Sequence, residues 1–269
     1  YRNIDAYIRS LEYATETRYK GYEKIGVKVN GRYEQLNANI LQIENEYYST
    51  VRPKQILQGN EKPMMALKQR GVKYVELRSL DVNAFDPLGI NEEQIRFLEA
   101  FLVFCLIQDS QQICFSEREE IDNNELVVAH RGREPGLKLQ RDAVSCELKE
   151  WALEICTAME GICELLDKPY ATRPYASALA KQREKVLDPE LTPSALMLNS
   201  MRDNGEGFYH FARRMSQQHF DYFKQVKLDA ERRDLFRQVA QTSIERQREL
   251  EANDQVSFDE YLAAYFAQK

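Results

Sequence analysis

Residues 73–80 read K-Y-V-E-L-R-S-L, and two of these side chains can do chemistry together. The alternation predicts a strand with Tyr74, Glu76, Arg78 and Leu80 on one face and Lys73, Val75, Leu77 and Ser79 on the other. Glu76 and Arg78 then stand about 7 Å apart along the strand. On an open strand a carboxylate and a guanidinium at that spacing make an ordinary surface ion pair of small worth. Lining a cleft, the same pair offers an oxygen ligand to a hard cation and a planar fork to phosphate. Val75 and Leu77 give the opposite face an apolar centre, which is expected to pack on a core.

A second group lies upstream, in L-Q-I-E-N-E-Y-Y-S-T-V-R-P-K (41–54). Alternation there predicts an extended run, with Leu41, Ile43, Asn45 and Tyr47 on one face and Gln42, Glu44, Glu46 and Tyr48 on the other. Pro53 keeps Arg52 out of the α conformation. The run therefore ends in a loop that groups Asn45, Tyr48, Arg52 and Lys54. Polar residues on both faces suit either a solvated edge or a site. Farther on, R-G-R-E-P-G (131–136) sets Arg131 and Arg133 beside glycines, which suits an anion or a solvated basic turn.

Several chemistries are excluded. No GxxxxGK[ST], GxGxxG or GxSxG occurs. The histidines are His130, His210 and His219, none in a metal-ligand spacing, which argues against a zinc hydrolase or a histidine-based triad. The carboxylate, tyrosines, amide and cations left near 40–80 suit phosphoryl chemistry assisted by magnesium.

Positioning these residues falls to a first stretch of mixed structure and a long helical remainder. Apolar spacing predicts a helix over 4–18, Asn30-Gly31 a hairpin turn, and Pro63 the start of a short helix over 63–68. Asn91 and Gln94 form a capping box before a core helix bearing Ile95, Leu98, Phe101, Leu102 and Cys105. Further helices are expected over 117–130, over 142–166 as one long element, and over 175–187, 193–202, 207–225, 228–252 and 257–267. The chain is predicted as α+β: residues 1–90 carry part of an antiparallel sheet with short helices and the site residues, and residues 91–269 form a helical region.

The chain has 269 residues, 43% of them hydrophobic, enough for a sizeable core. A net charge of −6 argues against nucleic acid as a partner. No apolar run reaches membrane-spanning length, and the first residues do not resemble a signal peptide. Without an initiator Met, Tyr1 is expected to be internal to a longer protein. The five cysteines contain no CxxC, so no disulfide framework or zinc knuckle is suggested. Cys105, Cys156 and Cys163 are expected in the core, and a reducing cytoplasm fits best.

The blocks 41–54 and Y-V-E-L-R-S-L-D-V-N-A-F-D-P-L-G (74–89) resemble the proteobacterial type of glutamate–cysteine ligase. Q-I-R-F-L-E-A-F (94–101), G-R-E-P-G-L (132–137) and E-R-Q-R-E-L-E-A (245–252) keep that resemblance in order, over what corresponds to the family's C-terminal half. The resemblance implies a glutamine-synthetase-like antiparallel sheet curved into a funnel. It also implies an ATP-dependent joining of glutamate to cysteine through an acyl phosphate, with Mg2+ on the inner wall. Carried over by motif, Glu76 becomes a magnesium ligand and Arg78 the catalytic contact to phosphate. Tyr48 lies beside the amino-acid substrates, and Asn45, Arg52 and Lys54 are candidates for substrate binding. Arg131 and Arg133 are candidates for the nucleotide. Most of the family's metal-binding carboxylates lie in the N-terminal half, which is absent, so the chain is expected to need that half as a partner. Two other readings stay open: a non-catalytic helical interaction module, and a ligase with a different amine acceptor.

Overall fold

The computed structural model describes residues 3–268. Helices dominate, and among the described residues the strands pair as three separate two-stranded antiparallel ribbons, so the class is α+β as predicted. The order begins α1 (Ile4–Glu16), α2 (Lys20–Glu23), β1 (Lys28–Val29), β2 (Arg32–Tyr33), a 3-10 turn (Glu44–Glu46), β3 (Val51–Lys54), α3 (Pro63–Arg70) and β4 (Tyr74–Leu77). It continues with α4 (Glu92–Ile107), α5 (Phe115–Arg131), β5 (Lys138–Arg141), β6 (Val144–Glu147), α6 (Leu148–Asp167) and α7 (Pro174–Leu187). A second 3-10 turn (Pro189–Leu191), α8 (Pro193–Asp203), α9 (Phe208–Gln225), α10 (Ala230–Asn253) and α11 (Phe258–Ala267) complete it. Among the described residues no helix is long and apolar enough to cross a membrane.

Two compact units result: Tyr1–Leu80 with Leu228–Lys269, and Asp81–Lys227. The sequence pointed instead to a division at residue 90, with everything after it in one helical region. Long-range polar contacts make the difference. Asp259, at the start of α11, takes an ion pair from Lys28 at 3.1 Å and a hydrogen bond from the Tyr33 hydroxyl. The Gln268 side chain accepts the Lys62 N–H at 2.9 Å and donates to the Asn60 carbonyl at 2.9 Å.

In the first unit, Asn3 caps α1 by accepting the Ala6 N–H at 2.8 Å. Tyr7, Ile8 and Leu11 of α1 pack on Met64 and Leu67 of α3, with Leu41 and Tyr47 against them. Asn30 and Gly31 turn the β1–β2 hairpin with φ of 50° and 79°, the left-handed pair that this turn demands. Gly71, at φ 71°, ends α3 and feeds the chain into β4. Two expectations fail in this unit. Residues 41–48 are not an extended run, because the chain winds into the 3-10 turn and buries Glu44; a contact to α3 outweighs the local alternation. Val75 is 47% exposed, because a two-stranded ribbon lays no core against its second face.

In the second unit, the Asn91–Gln94 capping box forms as predicted. Helices α4, α6 and α7 enclose Ala100, Cys156, Met159, Ile162, Cys163, Tyr175 and Leu179. The predicted single helix over 142–166 is replaced by the β5–β6 hairpin and then α6. Asp142 and Ala143 turn this hairpin at φ 53° and 61°. The Asn124 side chain on α5 pins it, donating to the Gln140 carbonyl at 2.6 Å and accepting the Gln140 N–H at 3.0 Å. Cys156 and Cys163 are buried, but Cys105 is exposed, and all five cysteines are free.

Candidate functional site

Antiparallel register decides which side chains share a face. Arg52 lies opposite Glu76, and Lys54 opposite Tyr74; directly paired residues, and those two apart, project the same way. The Arg78 N–H donates to the Thr50 carbonyl at 2.8 Å, which continues the ladder past Leu77 and keeps Arg78 on the Glu76 face. There Glu76 Oε2 accepts a hydrogen bond from Arg78 Nε at 2.9 Å and lies 3.3 Å from Lys54 Nζ. The Arg78 guanidinium carbon sits 5.2 Å from the centroid of the Tyr48 ring, within cation–π reach. Tyr48 itself is 76% exposed. Four of the predicted residues, Tyr48, Lys54, Glu76 and Arg78, therefore form one open cluster.

The Arg78 hydrogen bond holds the Glu76 carboxyl below the ordinary carboxylate range, with help from Lys54 and against some desolvation. Glu76 is thus anionic at neutral pH. The three side chains are half-buried, Glu76 at 36%, Arg78 at 25% and Lys54 at 22% exposure, so solvent screens the ion pairs in part and a bound ion can still compete for them.

The remaining candidates are placed differently. Arg52 is 3% exposed and turns inward. Its Nη2 donates to the Glu44 carbonyl at 3.3 Å, and its guanidinium covers the Tyr47 ring at 5.7 Å. It braces the turn and does not join the open cluster. Asn45 is exposed on the 3-10 turn, and no hydrogen bond among the described residues ties it to the cluster. Arg131 and Arg133 belong to the second unit. Arg131 makes a two-pronged pair with Glu134, both contacts at 2.7 Å, and Arg133 lies 3.6 Å from Glu190.

Sequence reasoning missed Glu44. It is 2% exposed, and its Oε2 accepts the Met64 N–H at 2.5 Å. Burial pushes its carboxyl above the ordinary range, opposed by the Met64 hydrogen bond and the charges of Lys62 and Arg52. A signal existed: α3 opens on Pro63 after Lys62, whose side chain makes no cap, so the first amides of the helix need an acceptor from elsewhere.

Among the described residues no group of three or more His, Cys, Asp or Glu side chains could hold a metal ion. A lone carboxylate such as Glu76 could supply at most one oxygen to a hard cation, whose other positions would fall to phosphate and water.

Fold and cluster together define an α+β protein whose ribbon face offers one carboxylate and two cations, a donor set for an oxyanion with a hard counter-ion. The profile of the family described as Glutamate-cysteine ligase matches residues 1–128, which include the whole β3–β4 ribbon. A glutamate–cysteine ligase of Pseudomonas paraeruginosa is 47% identical over 267 residues, 99% of this chain and 50% of that protein. One of Alcanivorax borkumensis is 43% identical over 275 residues, 99% of this chain and 52% of the relative. The crystal structure of glutamate–cysteine ligase from Francisella tularensis in complex with AMP superposes with a TM-score of 0.90 at 36% identity, covering 98% of this chain and 52% of that one. Along nearly its whole length the chain is similar in sequence to glutamate–cysteine ligases, and it spans about half the length of the relatives it matches.

Proposed function

We propose that this chain is the C-terminal part of an ATP-dependent ligase that joins the γ-carboxylate of glutamate to the amine of cysteine. The observation that carries this reading is the 47% identity to a glutamate–cysteine ligase over 99% of the chain. The AMP held by the Francisella relative supports a nucleotide substrate. In this reading ATP phosphorylates the γ-carboxylate, and the cysteine amine then displaces phosphate from the acyl phosphate. Bound Mg2+ supplies charge neutralisation on the triphosphate.

The chain's own residues do the rest. Glu76, ionised at neutral pH, gives one oxygen to the cation. Arg78 leaves Glu76 to clamp the transferring phosphoryl group, where a guanidinium fork matches the oxygens and stabilises their charge. Lys54, 3.3 Å from the same carboxylate, adds a second cation. Tyr48 flanks the amino-acid substrates, and Asn45 borders them. Arg52 acts from behind, by holding the turn.

One carboxylate does not organise a site for Mg2+ and ATP, so the activity needs the N-terminal half, whose strands extend the β3–β4 ribbon into a larger sheet. Five free thiols agree with a cytoplasmic setting. The test is Glu76→Gln in the chain joined to that half. Turnover is expected to fall at least about a hundredfold, with the melting temperature unchanged. Wild-type turnover in a folded variant would refute the assignment.

A further inference from the structure

The turn that carries Tyr48 is held from behind, and its contacts converge on Glu44. The Glu44 carboxylate accepts the Met64 N–H, at the second position of α3. Its backbone carbonyl accepts both the Tyr47 N–H at 3.1 Å and Arg52 Nη2 at 3.3 Å. Arg52 in turn sits on β3, two residues from Lys54 and directly opposite Glu76. Tyr47 fixes the same knot from the other side, its ring edge-on to Tyr7 at 6.1 Å and beneath the Arg52 guanidinium. With Glu44 and Tyr47 directed inward, the next residue, Tyr48, points out under Arg78.

The knot is costly for a mere turn. Glu44 Oε1 and Arg52 Nε are buried with no hydrogen-bond partner. A buried polar atom left unpaired lowers stability; an apolar side chain at position 44 would remove the unpaired Glu44 oxygen but leave the Met64 N–H without its acceptor. What the acid provides is direction: its carboxylate locks the turn to the first turn of a rigid helix, while the backbone carbonyl of the same residue ties the turn, through Arg52, to the strand bearing Lys54.

We propose that Glu44 is a positioning residue, which through the α3 N-terminus and Arg52 sets Tyr48 against Arg78 and holds the Lys54–Glu76–Arg78 group in reactive geometry. It touches no substrate and acts only through these side chains. The activity readout rests on the ligase reading above; the structural readout does not.

Two measurements test this. In the chain joined to its N-terminal half, Glu44→Leu, which keeps volume but loses the acceptor for Met64, lowers kcat by about tenfold or more while the KM for ATP stays within about twofold. Glu44→Gln, which keeps the acceptor, recovers most of that loss. In the 269-residue chain with 13C-labelled tyrosine rings, the Tyr48 signals, assigned with Tyr48→Phe, shift in Glu44→Leu and return towards wild type in Glu44→Gln. If Glu44→Leu does not fold, Glu44→Asp replaces it, since withdrawing the acid by one methylene must give the same two effects. Wild-type kcat and unmoved Tyr48 signals in a folded variant overturn the proposal. So does a loss of kcat that tracks melting temperature equally in the Leu and Gln variants. Shifted Tyr48 signals in a protein that makes no γ-glutamylcysteine leave the positioning role standing and refute the ligase reading instead.

Discussion

Two acids in one small unit are tuned in opposite directions by their surroundings. Glu76 sits half-buried beside Arg78 and Lys54, which hold its carboxyl low. Glu44 sits in the interior, and desolvation raises its carboxyl despite Lys62, Arg52 and the Met64 amide, with Glu12 adding a smaller like-charge effect. The second shift has a consequence for stability. The folded state holds the Glu44 proton more tightly than the unfolded chain, whose carboxyl has the ordinary value of 4.5. Folding free energy therefore falls as pH rises from that value through the raised one, and levels off above it. Urea unfolding of wild type and Glu44→Gln between pH 4 and 7 is expected to converge at the acid end. As pH rises the Gln variant gains relative to wild type; parallel curves would show that Glu44 titrates normally.

At the scale of elements, the same device appears twice. Helices α3 and α7 both open on a proline, and neither has a side-chain cap from its own N-cap residue, Lys62 or Arg173. Each is capped instead by a buried acid from another element. Glu44 takes the Met64 amide of α3; Asp167, at the end of α6, takes the Tyr175 and Ala176 amides of α7 at 2.9 Å and 3.0 Å. Removing the second acid by Asp167→Ala is expected to cost about 1–3 kcal/mol, read as a lower urea midpoint with an unchanged slope. The β5–β6 turn offers the opposite change. Ala143 adopts φ 61°, a left-handed conformation that costs a non-glycine residue roughly 1–2 kcal/mol. Ala143→Gly relieves that strain, less the greater freedom of glycine in the unfolded chain, and should raise stability by as much as about 1 kcal/mol. A thermal melt of the two proteins decides it.

The whole molecule is half a machine in the proposed reading, and calorimetry measures this directly. Titrated alone, the chain should show no saturable heat with Mg–ATP in the micromolar range; mixed with the N-terminal half, it should bind and turn over. Full binding by the isolated chain would mean that the site is complete without further carboxylates. What the sequence determined by itself was local. The Asn91–Gln94 box, the Asn30-Gly31 turn, the starts of most helices and the Glu76–Arg78 spacing depend on residues within a few positions of one another. The periodicity and cap rules act at that range. What only the tertiary structure decided depends on partners far apart in the chain: Glu44 on Met64, 20 residues on, and Lys28 on Asp259, 231 residues on. Those contacts wound the predicted strand at 41–48 into a turn, drew Arg52 inward away from the open cluster, and joined the last helices to the first unit. A buried charge or an uncapped helix end takes its partner from whatever the fold brings near, and sequence spacing does not record that choice.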